Sequence, residues 1–173
     1  MPSSTHGRSA QLWKRTLCNS LHRSIVLSAS LRRIQSSDIS ALGMLFFAAF
    51  NGTIDDAGQT ETQYALKATA ILGGRYGEWI SEASWTVEQT DGLQSACLVC
   101  DYHSYGCPVI AVVATAPGHQ KSGTAGVLLD AALATLSALG HFECCAMVTK
   151  GNLASERLFG SRGFSPLPDA GDS

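Results

Sequence analysis

The chain has 173 residues, of which 45% are hydrophobic and 15% charged, with a formal net charge of −2. This length and balance predict one globular domain with a buried core and exclude a disordered chain. No apolar run reaches the roughly 18 to 20 residues that a membrane span requires, so no membrane role is expected.

Charge is distributed unevenly. Residues 1–37 carry six Lys/Arg and no acid, while the remaining 136 carry six basic and fourteen acidic residues, a net of −8. The acidic body argues against a nucleic-acid surface and for a cationic or neutral small substrate. The acid-free, Ser-rich start has the composition of an organelle transit peptide. The plainer reading is an upstream extension of a cytoplasmic protein with no targeting role, and cytoplasmic is the default. Residues 1–23 show no clear pattern and are read as a tail, 24–165 as the domain and 166–173 as a C-terminal tail.

In chain order, "SIVLSASLRRI" (24–34) predicts a first strand. Asp38 is expected to cap a helix to Phe50 that puts Leu42, Leu45, Phe46, Ala49 and Phe50 on one side, with Asn51-Gly52 as its stop. A polar loop precedes a second helix over Glu61–Leu72, which Gly73-Gly74 ends. "RYGEWISEA" is aromatic and irregular, suited to lining a cleft. Residues 85–89 and 94–101 predict a hairpin turning at Asp91-Gly92. "VIAVVAT" (109–115), uncharged and rich in Val and Ile, predicts a central strand buried on both faces. Pro117-Gly118 stops it, and a mostly apolar helix follows from Thr124 to Leu139, ended by Gly140. "FECCAMVT" (142–149) predicts another strand. Asn152 then caps a short helix to Arg162, which Gly163 closes in a left-handed turn that packs Phe164 back on Phe159. The order β-α-α-β-β-β-α-β-α predicts a mixed α/β (α+β) domain with helices flanking a central sheet.

Six cysteines raise a metal or disulfide reading, with Cys97, Cys100, His103 and Cys107 as the tempting set. Cys97 and Cys100 fall in a predicted strand, where residues three apart point to opposite faces. Buried free thiols are the better expectation, and no metal is expected.

The segment "APGHQKSGTAG" (116–126) joins a buried strand to a buried helix. It reads either as a plain turn, with His119 an exposed loop residue, or as an anion cradle at a helix N-terminus. A nucleoside-triphosphate P-loop fails because Thr124 stands where Lys must follow Gly123, and a dinucleotide fingerprint fails for want of Gly-x-Gly.

The longer pattern "VVATAPGHQKSGTAGVLLDAAL" followed by "NLASERLFGSRGF" resembles the GNAT superfamily of acetyl-CoA-dependent N-acetyltransferases. Gln120-Lys121-Ser122-Gly123-Thr124-Ala125 fits the family's coenzyme signature (Arg/Gln)-x-x-Gly-x-(Gly/Ala). Asn152, Phe159, Gly163 and Phe164 fit its downstream block. The resemblance implies a GNAT-like sheet, with the acetyl-CoA pyrophosphate on the backbone N–H groups of Gln120 to Ala125. It implies that Val113, Ala114 and Thr115 hold the pantetheine arm through a strand edge splayed from its neighbour, and that Asn152 touches that arm as well as capping its helix. The implied reaction is direct attack of an acceptor amine on the thioester, the acceptor being a small molecule or a protein.

Two departures stand out. Many family members carry at Phe159 a Tyr that protonates the departing thiolate, and the family usually adds two further strands after the equivalent of Phe164. The C-terminal end is therefore shortened, and either a second subunit (a homodimer) completes the acceptor side or the domain is trimmed. Glu88, Asp101 and His103 are weak candidates for the base, and solvated surface groups are the better reading of each. Tyr76, Glu78 and Trp79 are weak candidates for shaping the acceptor pocket and otherwise packing residues. The rival to an enzyme is a GNAT-like domain that binds acyl-CoA as a sensor or scaffold.

Overall fold

A computed structural model describes residues 9–17 and 30–168. Its elements are β1 (Ala10–Thr16), β2 (Leu31–Arg33), α1 (Ile39–Phe50), α2 (Glu61–Leu72), β3 (Glu78–Trp79), β4 (Trp85–Gln89), β5 (Gly92–Tyr102), β6 (Cys107–Thr115), α3 (Thr124–Ala138), β7 (Glu143–Thr149), α4 (Leu153–Gly160) and β8 (Ser165–Pro166). The strands form one sheet in the order β2-β4-β5-β6-β7-β1-β8, with β3 paired to the far end of β5. Every pairing in it is antiparallel except β6 with β7. The expected mixed α/β architecture is what forms.

Side-chain alternation divides the sheet between two cores. Cys97, Val99, Ile110, Cys144, Ala146 and Val148 pack against Leu128, Leu129, Leu136 and Phe159 of α3 and α4. On the other face Ala96, Leu98, Cys100, Val112, Ala114 and Cys145 meet Leu42, Phe46, Tyr64 and Ile71 of α1 and α2. Cys97 and Cys100 thus lie on opposite faces. All five described cysteines are buried and free. The α1–α2 contact is close because Gly43 has no side chain: a Cβ there would stand 2.7 Å from the Ala65 Cβ.

Local signals set most helix ends. Thr60 accepts from the Gln63 backbone N–H while Gln63 accepts from that of Thr60, a reciprocal cap on α2. At the end of α4, Gly163 has φ +79°, Phe164 N–H donates to Phe159 C=O, and the two rings stand 5.1 Å apart edge to face. Asp38 departs from expectation. It precedes α1 but makes no side-chain cap, because its carboxylate accepts instead from Arg32 at 2.8 and 2.9 Å and from the Gln35 N–H at 2.8 Å.

The two ends of the chain depart further. Residues 10–16, expected to be tail, form a strand that runs antiparallel along β7 through seven residue pairs, from Ala10↔Thr149 to Thr16↔Glu143. Lys14 reinforces it by an ion pair with Glu143 at 2.9 Å. Ser165–Pro166 then pair with β1, and Leu167 N–H donates to Leu12 C=O. The sheet beyond β7 is therefore extended by the chain's own N-terminal segment. The sequence hides this strand because Gln11 to Arg15 are all half-buried, without the alternation that marks a one-sided strand. Of the expected first strand, Leu31–Arg33 pair with β4, and 24–29 lie outside the described residues.

Candidate active site

β6 and β7 pair in parallel only at Val109↔Cys145 and Ile110↔Ala146. Beyond that point both strands continue, to Thr115 and Thr149, without pairing to each other. The register of β6 against β5 slips at the same place: Leu98 faces Val112 and Val99 faces Ile110, which leaves Ala111 as an extra residue. Such a bulge turns the strand and reverses side-chain parity. Consistently, Val109 and Val112 pack on the α1–α2 face while Ile110 and Val113 pack on the other.

The direction of the free edge follows from one hydrogen bond. Ala116 N–H donates to Gln94 C=O at 2.9 Å, so Ala114 and Val112, two and four residues back, also turn their peptide groups to β5. Val113 and Thr115 present theirs to the gap. Of the three residues expected to offer backbone groups, Ala114 is thus turned away, and its carbonyl also accepts from Ser95 Oγ at 3.0 Å.

At the end of β6 the loop turns into α3. A short 3-10 turn spans Pro117–His119, and Lys121 (φ +61°) and Gly123 (φ +83°) adopt left-handed backbone. Gly123 is the N-cap of α3 and places no side-chain acceptor on the helix's first N–H groups. Those groups point outward at the positive end of the helix dipole. The side chains of the loop brace it: Gln120 Nε2 donates to Thr115 C=O at 3.2 Å, and Ser122 Oγ donates to His119 C=O at 2.6 Å. The single proton of Ser122 is thereby committed, so Thr124 Oγ1, 2.8 Å away, is the donor in their contact.

Arg162 adds a positive charge that the sequence reading did not single out. A Cβ on Gly126 would lie 2.0 Å from its Nη2, so glycine alone lets the guanidinium rest on the first turn of α3. Asp130 holds it there at 3.3 Å.

Between the parted strands lies a cavity of about 310 Å³. Its walls include Val113, Val148 and Phe159, and α2 and the turn before it contribute Tyr64, Lys67 and Asp55. Asn152 secures one side. Its Oδ1 accepts from Ser155 N–H at 3.1 Å, capping α4, and its Nδ2 donates to Asp55 Oδ2 at 2.7 Å. The expected cap is present, and the amide of Asn152 ties α4 to the turn after α1. Lys67 is half-buried, with Nζ 5.8 Å from the Phe50 ring centroid. Burial pushes its ammonium below the usual lysine range, which the Asp55 charge partly offsets.

None of Glu88, Asp101 and His103 lines this cavity. Glu88 is exposed on β4 and bound by Arg32 at 2.6 Å. Asp101 pairs with Pro108, near the start of β6, and His103 lies in the exposed turn beyond. Tyr76, Glu78 and Trp79 also stand outside it, and the Trp79 indole N–H donates to Ser84 Oγ at 3.0 Å, inside the local packing. Among the described residues no group of three His, Cys, Asp or Glu is placed to hold a metal ion, and no helix is long and apolar enough to cross a membrane.

No family model matches the chain, and no curated protein matches it. Solved structures do. A GCN5-related N-acetyltransferase from Sphaerobacter thermophilus superposes with a TM-score of 0.67 at 16% identity, covering 92% of this chain and 49% of its own. The ribosomal-protein-S18-alanine N-acetyltransferase of Escherichia coli gives 0.62 at 16%, covering 80% and 78%. This chain has the GNAT fold. The diaminobutyrate acetyltransferase of Paenibacillus lautus, solved with L-2,4-diaminobutyric acid and coenzyme A, shares that fold at 0.55 and 18%, covering 76% and 72%. The chain spans only about half the length of the Sphaerobacter protein.

Proposed function

We propose that this chain transfers an acetyl group from acetyl-CoA to an amine of its acceptor, by direct attack on the thioester. The observation that carries the reading is the unpaired edge of β6 past Ile110, ending in the uncapped N-terminus of α3. An extended arm bearing amide groups fits such an edge as an added strand would. A diphosphate fits the N–H groups of Gln120 to Ala125, where the helix dipole and Arg162 both favour negative charge. A backbone N–H of β6 beside the bulge would polarise the thioester carbonyl and stabilise the oxyanion that forms there. The protein then contributes mainly position, plus removal and return of protons. Asn152 acts here by fixing α4 and Asp55 against the cavity.

The acceptor is an amine-bearing small molecule or protein, the class named for the GNAT neighbours: an alanine of a ribosomal protein in one case, diaminobutyrate in another. The test is incubation with acetyl-CoA and a panel containing diaminobutyrate, an aminoglycoside and an alanine-first peptide, following release of free thiol. Amine-dependent thiol release supports the reading. The competing sensor reading is favoured by Phe159, a cavity residue with no acidic proton. Tight acetyl-CoA binding without turnover on any amine would establish it instead.

A further inference from the structure

When a thioester is attacked, the C–S bond breaks and its electron pair goes to sulfur, so a proton must reach that atom. The cavity between β6 and β7 is poor in groups that supply one. Among the described residues its titratable walls are Asp55, Tyr64 and Lys67. Asp55 is a carboxylate engaged by Asn152. Tyr64 is buried among Phe47 and Phe50. β6, β7 and α4 contribute only groups that do not titrate there, Phe159 among them. Lys67 is the cation of the set. It enters from α2, half-buried, with its Nζ 5.8 Å from the Phe50 ring centroid, and no ion pair among the described residues engages it.

We infer that the Lys67 ammonium donates the proton to the departing coenzyme A sulfur. The inference rests on acetyl transfer taking place in this cavity. The step balances. The acceptor nitrogen forms a bond to the carbonyl carbon, the C–S bond breaks, and an Nζ proton passes to the sulfur to give the thiol. The proton lost by the attacking nitrogen returns to Lys67, so amine and thioester become amide and thiol, and the side chain ends as it began. An ordinary lysine, near 10.4, is a weaker acid than a thiol near 8.5. The downward pressure of burial on Lys67 brings the two toward a match, which is what efficient proton transfer requires.

The first arm of the test uses coenzyme A itself as the probe and does not depend on the acceptor; the second follows turnover on an amine that the wild type acetylates. The thiol of bound coenzyme A is titrated by ultraviolet difference between its complex and that of S-methyl-coenzyme A, in the wild type and in Lys67→Gln. An ammonium facing the sulfur stabilises thiolate, so the bound thiol in the wild type should titrate about one to three pH units below that in Lys67→Gln. Lys67→Arg keeps the charge but not a transferable proton. It should retain the low thiol titration while kcat falls by about 10² to 10⁴ with little change in KM for acetyl-CoA. Equal titration in wild type and Lys67→Gln, with coenzyme A bound to both, overturns the role of Lys67 and leaves the coenzyme site standing. A rise in acceptor KM with unchanged kcat would make Lys67 an acceptor anchor and also overturn it. Failure of the wild type to bind coenzyme A overturns the site itself, and this proposal with it.

Discussion

Arg32 bridges two carboxylates, Asp38 and Glu88, from the three-residue strand β2. The guanidinium and the Gln35 N–H hold Asp38 below the usual carboxylate range, against the opposing effect of its burial. A group depressed in the folded state contributes stability above its unfolded pKa, and that stability is lost as pH falls through the folded value. Acidification below about pH 4 should therefore destabilise the wild type more than Asp38→Asn, as read from melting temperature against pH. Parallel acid slopes would remove Asp38 ionisation from the account. Asp38→Ala should cost about 1.5 to 3 kcal/mol at neutral pH, since it strands charged hydrogen-bond donors. The sequence marked Asp38 as a helix cap. Its actual partner sits six residues back on a neighbouring strand, and only the fold brings the two together.

The cysteines also belong at the residue scale. Burial alone pushes Cys97 up to about 12 and Cys100 up to about 11, and Cys144 and Cys145 are raised chiefly by burial too. Little reactive thiolate is present at these four residues at neutral pH. Iodoacetamide should leave Cys97, Cys100, Cys107, Cys144 and Cys145 unmodified until denaturant is added, as followed by peptide mass spectrometry. Rapid native alkylation of Cys97 would contradict the two-sided burial of β5.

At the scale of elements, α2, α3 and α4 were legible because each carries its own punctuation: Gly73-Gly74, Gly123 and Gly140, Asn152 and Gly163. Strand β6 was legible as an uncharged β-branched run, and the loop after it as a glycine-bearing turn onto a helix. β1 was not, since its meaning lies in a partner strand more than 120 residues away. The consequence is testable. Deleting residues 1–17 removes seven cross-strand pairs, worth roughly 0.2 to 1 kcal/mol each, and withdraws Leu17 from the core. It also leaves the edge of β7 open to other chains. The truncated protein should melt well below the full chain and associate on size-exclusion chromatography. Unchanged melting in a monomeric truncation would show that β1 is dispensable. Lys67 illustrates the opposite limit: in sequence it is one more polar residue on a helix, and only the approach of α2 to the parted strands brings it to the cavity wall.

Across the whole molecule, two cores hold the sheet rigid on either side of one defect, the gap between β6 and β7. The bulge at Ala111, the unpaired edge at Val113 and Thr115 and the uncapped start of α3 all converge on that defect, which makes a common ligand the economical account of them. The most direct measurement is the melting temperature with and without acetyl-CoA, in the wild type and in Ala125→Glu. Ala125 lies in the first turn of α3, where a carboxylate favours the helix by about 0.3 to 1 kcal/mol, so the variant should fold unimpaired. At a hundredfold excess over Kd, a ligand held only by the native state adds about 2.7 kcal/mol. For a domain of this size that corresponds to roughly 5 to 10 °C. The wild type should show that rise and Ala125→Glu should lose it, because its carboxylate would face the diphosphate. No rise in the wild type, or an equal rise in both, would contradict the coenzyme site.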